Sequence, residues 1–121
     1  MFAHIGFEVA DLERSARFYD ALFFPLGCRR QFEGPGAVAY GRIDPRFWIV
    51  ERTRTPAVGY GHIAFEAVGK AAVEAAHEAA LAAGGRDDGA PGPRRQYGPR
   101  YYAGYLLDPD GYRVEIVSGE S

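Results

Sequence analysis

A short motif occurs twice in this chain of 121 residues. Residues 4–8 read His-Ile-Gly-Phe-Glu and residues 62–66 read His-Ile-Ala-Phe-Glu, so the second copy begins 58 residues after the first. Self-similarity at such a spacing indicates a fold built from repeated supersecondary units. A chain of this length is too short for two ordinary domains. The sequence therefore predicts one domain over residues 1–121, made of module one (about 1–55) and module two (about 60–119).

A helix is predicted after each copy of the motif. Asp11 is a favourable N-cap for a helix that runs to about residue 24, next to Pro25. In module two, residues 70–83 consist mostly of Ala and Glu, which are strong helix formers, and Gly84-Gly85 follows them. A strand followed by a helix is therefore predicted in both halves, in register with the repeated motif.

Strand-like segments follow each predicted helix, so each module has the order βαβββ and the fold class is α+β. The sequence Asp-Pro-Asp-Gly at residues 108–111 predicts a turn between the last two segments. Residues 87–99, in which Gly, Pro and Arg dominate, are predicted to form a loop. The strand-like segments are rich in β-branched and aromatic residues and cover residues 36–40, 46–51, 101–107 and 112–118.

Charge and composition exclude several classes of partner. The chain has 14 basic and 16 acidic residues, so it has no positive excess with which to bind nucleic acid or an anionic bilayer. Its single cysteine, Cys28, excludes an internal disulfide. The N-terminus does not resemble a signal peptide, and no apolar run approaches the roughly 20 residues that span a bilayer. We therefore expect a cytoplasmic protein whose partner is a small molecule.

Two of the 3 histidines stand at the start of the repeated strands. If the modules pack with approximate twofold symmetry, the imidazoles of His4 and His62 point into one cavity. Glu115 lies in an otherwise apolar segment, where a carboxylate is costly to bury unless it is paired or metal-bound. Two imidazoles and a carboxylate suit divalent iron, manganese, nickel or zinc. The alternative is that these are ordinary strand residues. We expect His77 to pack against the sheet or to lie on the helix surface.

Three segments of the chain carry a family resemblance: residues 4–15 with Phe18-Tyr19, residues 61–65 and residues 107–115. They resemble the vicinal oxygen chelate superfamily, which includes glyoxalase I, bleomycin-resistance proteins, fosfomycin-resistance enzymes and extradiol dioxygenases. The third segment is the most specific, because a turn like that at residues 108–111, followed four residues later by a strand glutamate, recurs through the family. The resemblance covers nearly the whole chain. It implies paired βαβββ modules whose curved mixed sheets close around a cavity, often with a second chain.

The resemblance also implies roles for particular residues. Metal-binding members place ligands at positions matching His4, His62 and Glu115, and Glu115 is the expected catalytic carboxylate. Many members carry a fourth ligand, often glutamate, and alignment of the equivalent strand places Trp48 there. This difference disfavours the glyoxalase I reaction, which uses metal-bound carboxylates as bases. Gly6 stands where fosfomycin-type transferases carry a hydroxyl residue, which disfavours epoxide opening.

Three functions remain open from the sequence. The first is a homodimeric, metal-dependent lyase, isomerase or thiol transferase that acts on a small oxygen-rich metabolite or xenobiotic. The second is a metal-free protein that sequesters an aromatic compound, as bleomycin-resistance proteins do, and the third is an extradiol-type dioxygenase. Trp48 would contact an aromatic ligand, Tyr105 matches a cavity tyrosine of some fosfomycin-type relatives, and Arg100 would meet an anionic substrate. These three are the expected substrate-binding residues.

Overall fold

The structure of the protein, a computed structural model, describes residues 1–119 and shows two four-stranded sheets and two α-helices there. A 3₁₀ turn at Phe24–Leu26 follows the first helix. The elements are β1 (Ile5–Val9), α1 (Leu12–Phe23), β2 (Arg29–Gly34), β3 (Ala37–Gly41), β4 (Phe47–Glu51), β5 (His62–Glu66), α2 (Lys70–Ala82), β6 (Arg86–Pro93), β7 (Tyr102–Leu107) and β8 (Arg113–Ser118).

The two sheets have the same topology, which confirms the repeat. Sheet one has the strand order β1-β4-β3-β2, and sheet two has the order β5-β8-β7-β6. In each sheet the strand that carries the repeated motif runs parallel to the last strand of its module, and the other pairs are antiparallel. The predicted α+β class with two βαβββ modules is therefore confirmed. The expected closure around a cavity does not occur within one chain, because the two sheets remain separate.

Helix α1 begins and ends where the sequence predicts. The side chain of Asp11 accepts a hydrogen bond from the Arg14 amide at 3.0 Å, an N-cap that contributes about 1 kcal/mol. The chain leaves the helix through the Pro25-containing 3₁₀ turn and then Gly27, whose φ of 76° is in the left-handed region that favours glycine. The buried face of α1 consists of Ser15, Ala16, Phe18, Tyr19, Leu22 and Phe23.

Helix α2 buries small residues and one histidine. Val73, Ala76 and Ala80 are buried, and their small side chains allow α2 to pack closely against α1. His77 packs against sheet two, as expected: its Nε2 atom lies 3.1 Å from the carbonyl oxygen of Tyr105 and 3.2 Å from Asp87 Oδ1. Neither this helix nor any other within residues 1–119 is long and apolar enough to cross a bilayer.

The predicted loop at residues 87–99 is partly wrong, because Arg86–Pro93 forms strand β6. This strand lies at the edge of sheet two and pairs only with β7. Edge strands tolerate proline and register irregularities, and the pairing of β6 with β7 shifts between Asp87 and Gly89 and again before Gly92. The remaining segment, residues 94–101, connects β6 to β7, and we call it the cleft loop.

The hydrophobic core is shared by the two modules. Helices α1 and α2 pack against each other, and the buried cluster contains residues from both sheets. The Phe65 ring of β5 contacts the rings of Phe23 and Phe47, with centroid distances of 4.7 and 5.2 Å. Alternation along β4 buries Phe47 and Ile49 and leaves Trp48 on the other side of the sheet. Each sheet therefore has one face on the core and one open face that points away from it.

The turn at residues 108–111 joins module two to helix α1 through two buried carboxylates. The Tyr19 hydroxyl donates a hydrogen bond to Asp108 Oδ2 at 2.6 Å. Asp108 Oδ1 accepts hydrogen bonds from the backbone amides of Asp110 and Tyr112, both at 2.9 Å. Asp110 accepts from the Arg14 guanidinium at 2.8 Å. Within residues 1–119, no buried side-chain nitrogen or oxygen lacks a partner. We call this contact between the modules the Asp108 joint.

Candidate functional site

A cleft of about 860 Å³ lies on the open face of sheet two. Strand register explains which side chains reach it: Tyr105 of β7 pairs with Glu115 of β8, and Ala64 of β5 pairs with Glu115 on its other side. Paired residues on neighbouring strands point to the same face of a sheet, and His62 lies two positions from Ala64 and shares that face. The lining consists of His62, Tyr105, Glu115, Gly119 and cleft-loop residues Gln96, Tyr97, Gly98, Pro99, Arg100 and Tyr101.

Glu115 is the buried charge of the cleft, with 3% of its surface exposed. One carboxylate oxygen, Oε1, lies 3.2 Å from His62 Nε2, and the His62 side chain is about half exposed. The other oxygen, Oε2, accepts a hydrogen bond from the hydroxyl of Tyr101. A buried carboxylate is stable only when both oxygens have partners of this kind. The histidine and glutamate of the predicted ligand set therefore meet in the cleft.

Tyr101 is the site residue that the sequence reasoning did not single out. The cleft loop folds back through successive turns, in which the Arg94 amide donates to the Tyr101 carbonyl at 2.8 Å. The Tyr97 and Tyr101 rings contact each other with centroids 5.3 Å apart. Tyr101 was visible in the sequence only as one member of a tyrosine-rich segment, because its reach toward Glu115 depends on the path of the loop. The resemblance to fosfomycin-type relatives indicated Tyr105 instead.

Tyr105 and Arg100, two of the expected substrate-binding residues, both line the cleft. Burial, followed by the negative charge of Glu115, raises the pKa of the Tyr105 hydroxyl. Tyr105 therefore keeps its proton across the ordinary pH range and is a hydrogen-bond donor. The Arg94 guanidinium lies over the Tyr105 ring at 5.3 Å from its centroid. Arg100 is exposed at the cleft, where a positive charge can meet a ligand.

His4 and Trp48 lie on the open face of sheet one instead. Gly6 pairs with Trp48, and His4 is two positions earlier on the same face, with its ring centroid 6.3 Å from that of Trp48. The Phe32 ring also packs against the indole, with ring centroids 5.1 Å apart and the ring planes tilted by 38°. The sequence expectation thus divides into two groups: His62, Glu115, Tyr105 and Arg100 share one cleft, while His4 and Trp48 occupy the equivalent face of the other module.

The donor set in the cleft fits a divalent ion in part. An imidazole nitrogen and a carboxylate oxygen bound to one ion at ~2.0–2.2 Å are separated by roughly 2.8–3.6 Å, and His62 Nε2 and Glu115 Oε1 are 3.2 Å apart. Within residues 1–119, no cluster of three or more His, Cys, Asp or Glu side chains could hold a metal ion. One chain therefore offers two of the three expected ligands side by side, and the third lies in its other module.

The chain has two βαβββ modules of equal topology, and a histidine–glutamate pair lies on the open face of one sheet. These features define a class of small α+β proteins that are built from two such modules. The profile of the Glyoxalase/Bleomycin resistance protein/Dioxygenase superfamily matches residues 1–116, and the chain belongs to this superfamily. The resemblance described from the sequence is thereby confirmed. A search of curated protein sequences gave no match.

Solved structures of the superfamily share this fold. A glyoxalase/bleomycin resistance protein from Albidiferax ferrireducens T118 is 31% identical, with a TM-score of 0.84 and 97% of each chain covered. A fosfomycin resistance protein from Mesorhizobium loti is 23% identical, with a TM-score of 0.72, covering 98% of this chain and 92% of that one. A fosfomycin resistance protein from Listeria monocytogenes was solved with manganese(II) and 1S,2S-dihydroxypropylphosphonic acid. It is 21% identical, with a TM-score of 0.69, and the match covers 96% of this chain and 87% of that one.

Proposed function

We propose that the protein is a homodimeric, metal-dependent enzyme that acts on a small oxygen-rich metabolite or xenobiotic as a lyase, isomerase or thiol transferase. The observation that carries the proposal is the pairing of His62 Nε2 with the buried Glu115 carboxylate at 3.2 Å, inside a cleft large enough for a small substrate. A zinc, manganese, nickel or iron ion fits this donor pair, because imidazole and carboxylate ligands suit all four. Superfamily membership supports the proposal.

The proposal takes the third ligand, His4, from a second copy of the chain. The open faces of the two sheets both point away from the shared core, so His4 and His62 of one chain face different directions. A twofold-symmetric dimer can place the open face of sheet one over the cleft of its partner, and symmetry then builds two identical sites. Phe32 and Trp48 would contribute aromatic surface to that interface, since Phe32 is 44% exposed and Trp48 half-buried.

Each side chain then has a defined task in the reaction. A bound divalent ion would polarise a substrate oxygen as a Lewis acid. Glu115 would accept a proton from the substrate, and the protonated Tyr105 hydroxyl would donate a hydrogen bond to a substrate oxygen. Arg100 would hold an anionic group of the substrate at the cleft mouth, while Trp48 of the second copy would cover the substrate from the opposite side.

Metal titration of two single variants and their mixture tests this arrangement. We expect His4→Ala and His62→Ala each to bind Mn²⁺ at least tenfold more weakly than the wild type, measured by calorimetry. After the two variants are unfolded together and refolded, random pairing should restore wild-type affinity to roughly one quarter of the sites, because each mixed dimer contains one complete site.

Each outcome of this titration supports or overturns a part of the proposal. Weak binding by both variants without recovery in the mixture would overturn the shared site and place all ligands within one chain. A wild-type protein that binds no divalent metal would overturn the metal-dependent function itself. Sedimentation of the wild type measures the dimer independently of the metal.

A second candidate function rests on the aromatic surface of sheet one. The Phe32 and Trp48 rings pack against each other on the open face, with centroids 5.1 Å apart and planes tilted by 38°. Such an aromatic surface can hold a flat aromatic compound without a metal. This candidate predicts saturable quenching of Trp48, the sole tryptophan, when metal-free protein is titrated with bleomycin or a similar compound, and loss of that quenching in Phe32→Ala. Absence of quenching across such compounds would exclude sequestration.

The extradiol-type dioxygenase receives less support from the structure. In the sequence, His77 is the histidine that the proposed metal site does not use, and dioxygenases of this type carry further acid–base residues. His77 is buried behind sheet two, where its Nε2 atom faces the Tyr105 carbonyl and Asp87. It therefore does not reach the cleft as an acid–base group, and we do not propose this activity.

A further inference from the structure

The two oxygens of Glu115 have different partners that come from different parts of the fold. Oε1 faces His62, which is fixed by the parallel pairing of β5 with β8. Oε2 accepts the hydroxyl hydrogen of Tyr101, which belongs to the cleft loop and precedes β7. His62 therefore lies on a strand of the sheet, whereas Tyr101 lies on a loop that lines the cleft.

The backbone around Tyr101 is anchored at several points. The Tyr101 amide donates to the Gly98 carbonyl at 3.3 Å, and its carbonyl accepts from the Arg94 amide at 2.8 Å. The loop also packs against the end of β8, because a Cβ atom at Gly119 would lie only 2.0 Å from the Arg100 carbonyl oxygen. The φ of Gly119 is 77°, a second reason for glycine there. These contacts fix the backbone of Tyr101, so that its hydroxyl lies next to the Glu115 carboxylate.

We propose, on the basis of the metal-dependent function above, that Tyr101 is a positioning residue for Glu115. Its hydroxyl hydrogen bond holds Oε2, so that the carboxylate presents only Oε1 beside His62. Outer-shell hydrogen bonds of this kind fix the orientation of a ligating carboxylate and determine how many of its oxygens a metal can use. If the carboxylate gave a bound metal only one oxygen, it would leave room on that metal for a substrate oxygen.

Cobalt titration of Tyr101→Phe tests this role, because Co²⁺ reports coordination through its visible absorption. Loss of the hydroxyl frees Oε2, so we expect Co²⁺ affinity to fall roughly 10–100-fold, the usual effect of removing an outer-shell partner. The visible spectrum should also change as the freed carboxylate adopts another binding mode. Tyr97→Phe is the matched control: it removes a hydroxyl from the same loop, keeps the ring, and should leave affinity and spectrum unchanged.

A double-mutant cycle separates positioning from a structural role of the loop. In a Glu115→Gln background, Tyr101→Phe should cause little further loss of Co²⁺ affinity, because the hydrogen bond acts through the carboxylate. Wild-type affinity and spectrum in Tyr101→Phe would overturn the positioning role alone. Equal losses in Tyr97→Phe and Tyr101→Phe would also overturn it, since they would show a general effect on the loop. A wild type that binds no Co²⁺ would overturn the proposed function as well.

Discussion

Glu115→Ala is expected to remove divalent-metal binding, with the Kd for Mn²⁺ or Zn²⁺ rising by more than about 100-fold. Loss of an outer-shell partner alone costs roughly 10–100-fold, and this substitution deletes the carboxylate ligand itself. Glu115 is also the buried group that both His62 Nε2 and the Tyr101 hydroxyl contact, so neither neighbour can replace it. Isothermal titration of the metal-free protein, repeated with a fluorescent chelator in competition, measures the change.

Glu66→Ala is the matched control for this loss. Glu66 lies on β5 of the same sheet, on the same strand face as His62, and is exposed. Its removal changes the net charge by the same amount without touching the cleft pair, so metal affinity should remain within about twofold. Similar losses in both variants would show that general electrostatics accounts for the binding, and retained affinity in Glu115→Ala would contradict its assignment as a ligand.

Asp108→Ala is expected to lower the free energy of unfolding by about 3–5 kcal/mol at pH 7. The substitution leaves the Tyr19 hydroxyl and the amides of Asp110 and Tyr112 without their acceptors, and each unsatisfied buried donor costs about 1–3 kcal/mol. Because Asp108 is 1% exposed, water cannot readily replace it. Urea denaturation followed by circular dichroism measures the loss.

Asp108→Asn is the control that keeps the shape of the joint. Its amide oxygen can accept from both backbone amides, and its nitrogen can donate to the Tyr19 oxygen, so the cost at pH 7 should be about 1 kcal/mol or less. Equal losses for the alanine and asparagine variants would show that the hydrogen bonds do not account for the stability. A small loss for Asp108→Ala would contradict the importance of the joint.

The charge of Asp108 makes the comparison depend on pH. Burial raises the pKa of Asp108, and the hydrogen bonds from Tyr19 and the backbone oppose part of that rise. The folded state then binds the proton more tightly than the unfolded state, whose value is about 3.9. The stabilising effect of this group is complete below that pH and is lost as the pH rises through the folded pKa. The stability of the wild type relative to Asp108→Asn should therefore fall as the pH rises above about 4.

Strands β2 and β6 could not be predicted from the sequence, whereas the other strands and both helices could. The repeated motif located β1 and β5, and the capping and glycine signals located α1 and α2. Strand β2 forms one edge of sheet one, and β6 forms one edge of sheet two. An edge strand pairs on one side only, so it accepts the charged residues of β2 and the glycines and prolines of β6. Neither sequence shows the alternation that identifies a half-buried strand.

The candidate site was predictable in composition but not in its division between modules. Strand position and an apolar context identified His62 and Glu115, which meet at 3.2 Å. The repeat made His4 equivalent to His62. A sequence repeat does not predict, however, whether the open faces of the two sheets face each other or whether the modules pack through their helices, as they do here. Tyr101 escaped prediction because the path of the cleft loop, set by backbone hydrogen bonds, decides which tyrosine reaches Glu115.

The Asp108 joint also has a consequence for how the chain folds as it is synthesised. Tyr19 and Asp108 are 89 positions apart in the chain, and they belong to different modules. A ribosome therefore releases all of module one long before the acceptor for the Tyr19 hydroxyl exists. Modular chains commonly fold one unit at a time from the N-terminus, but here the Tyr19 hydroxyl of the first unit gains its acceptor only after Asp108 of the second unit has been synthesised.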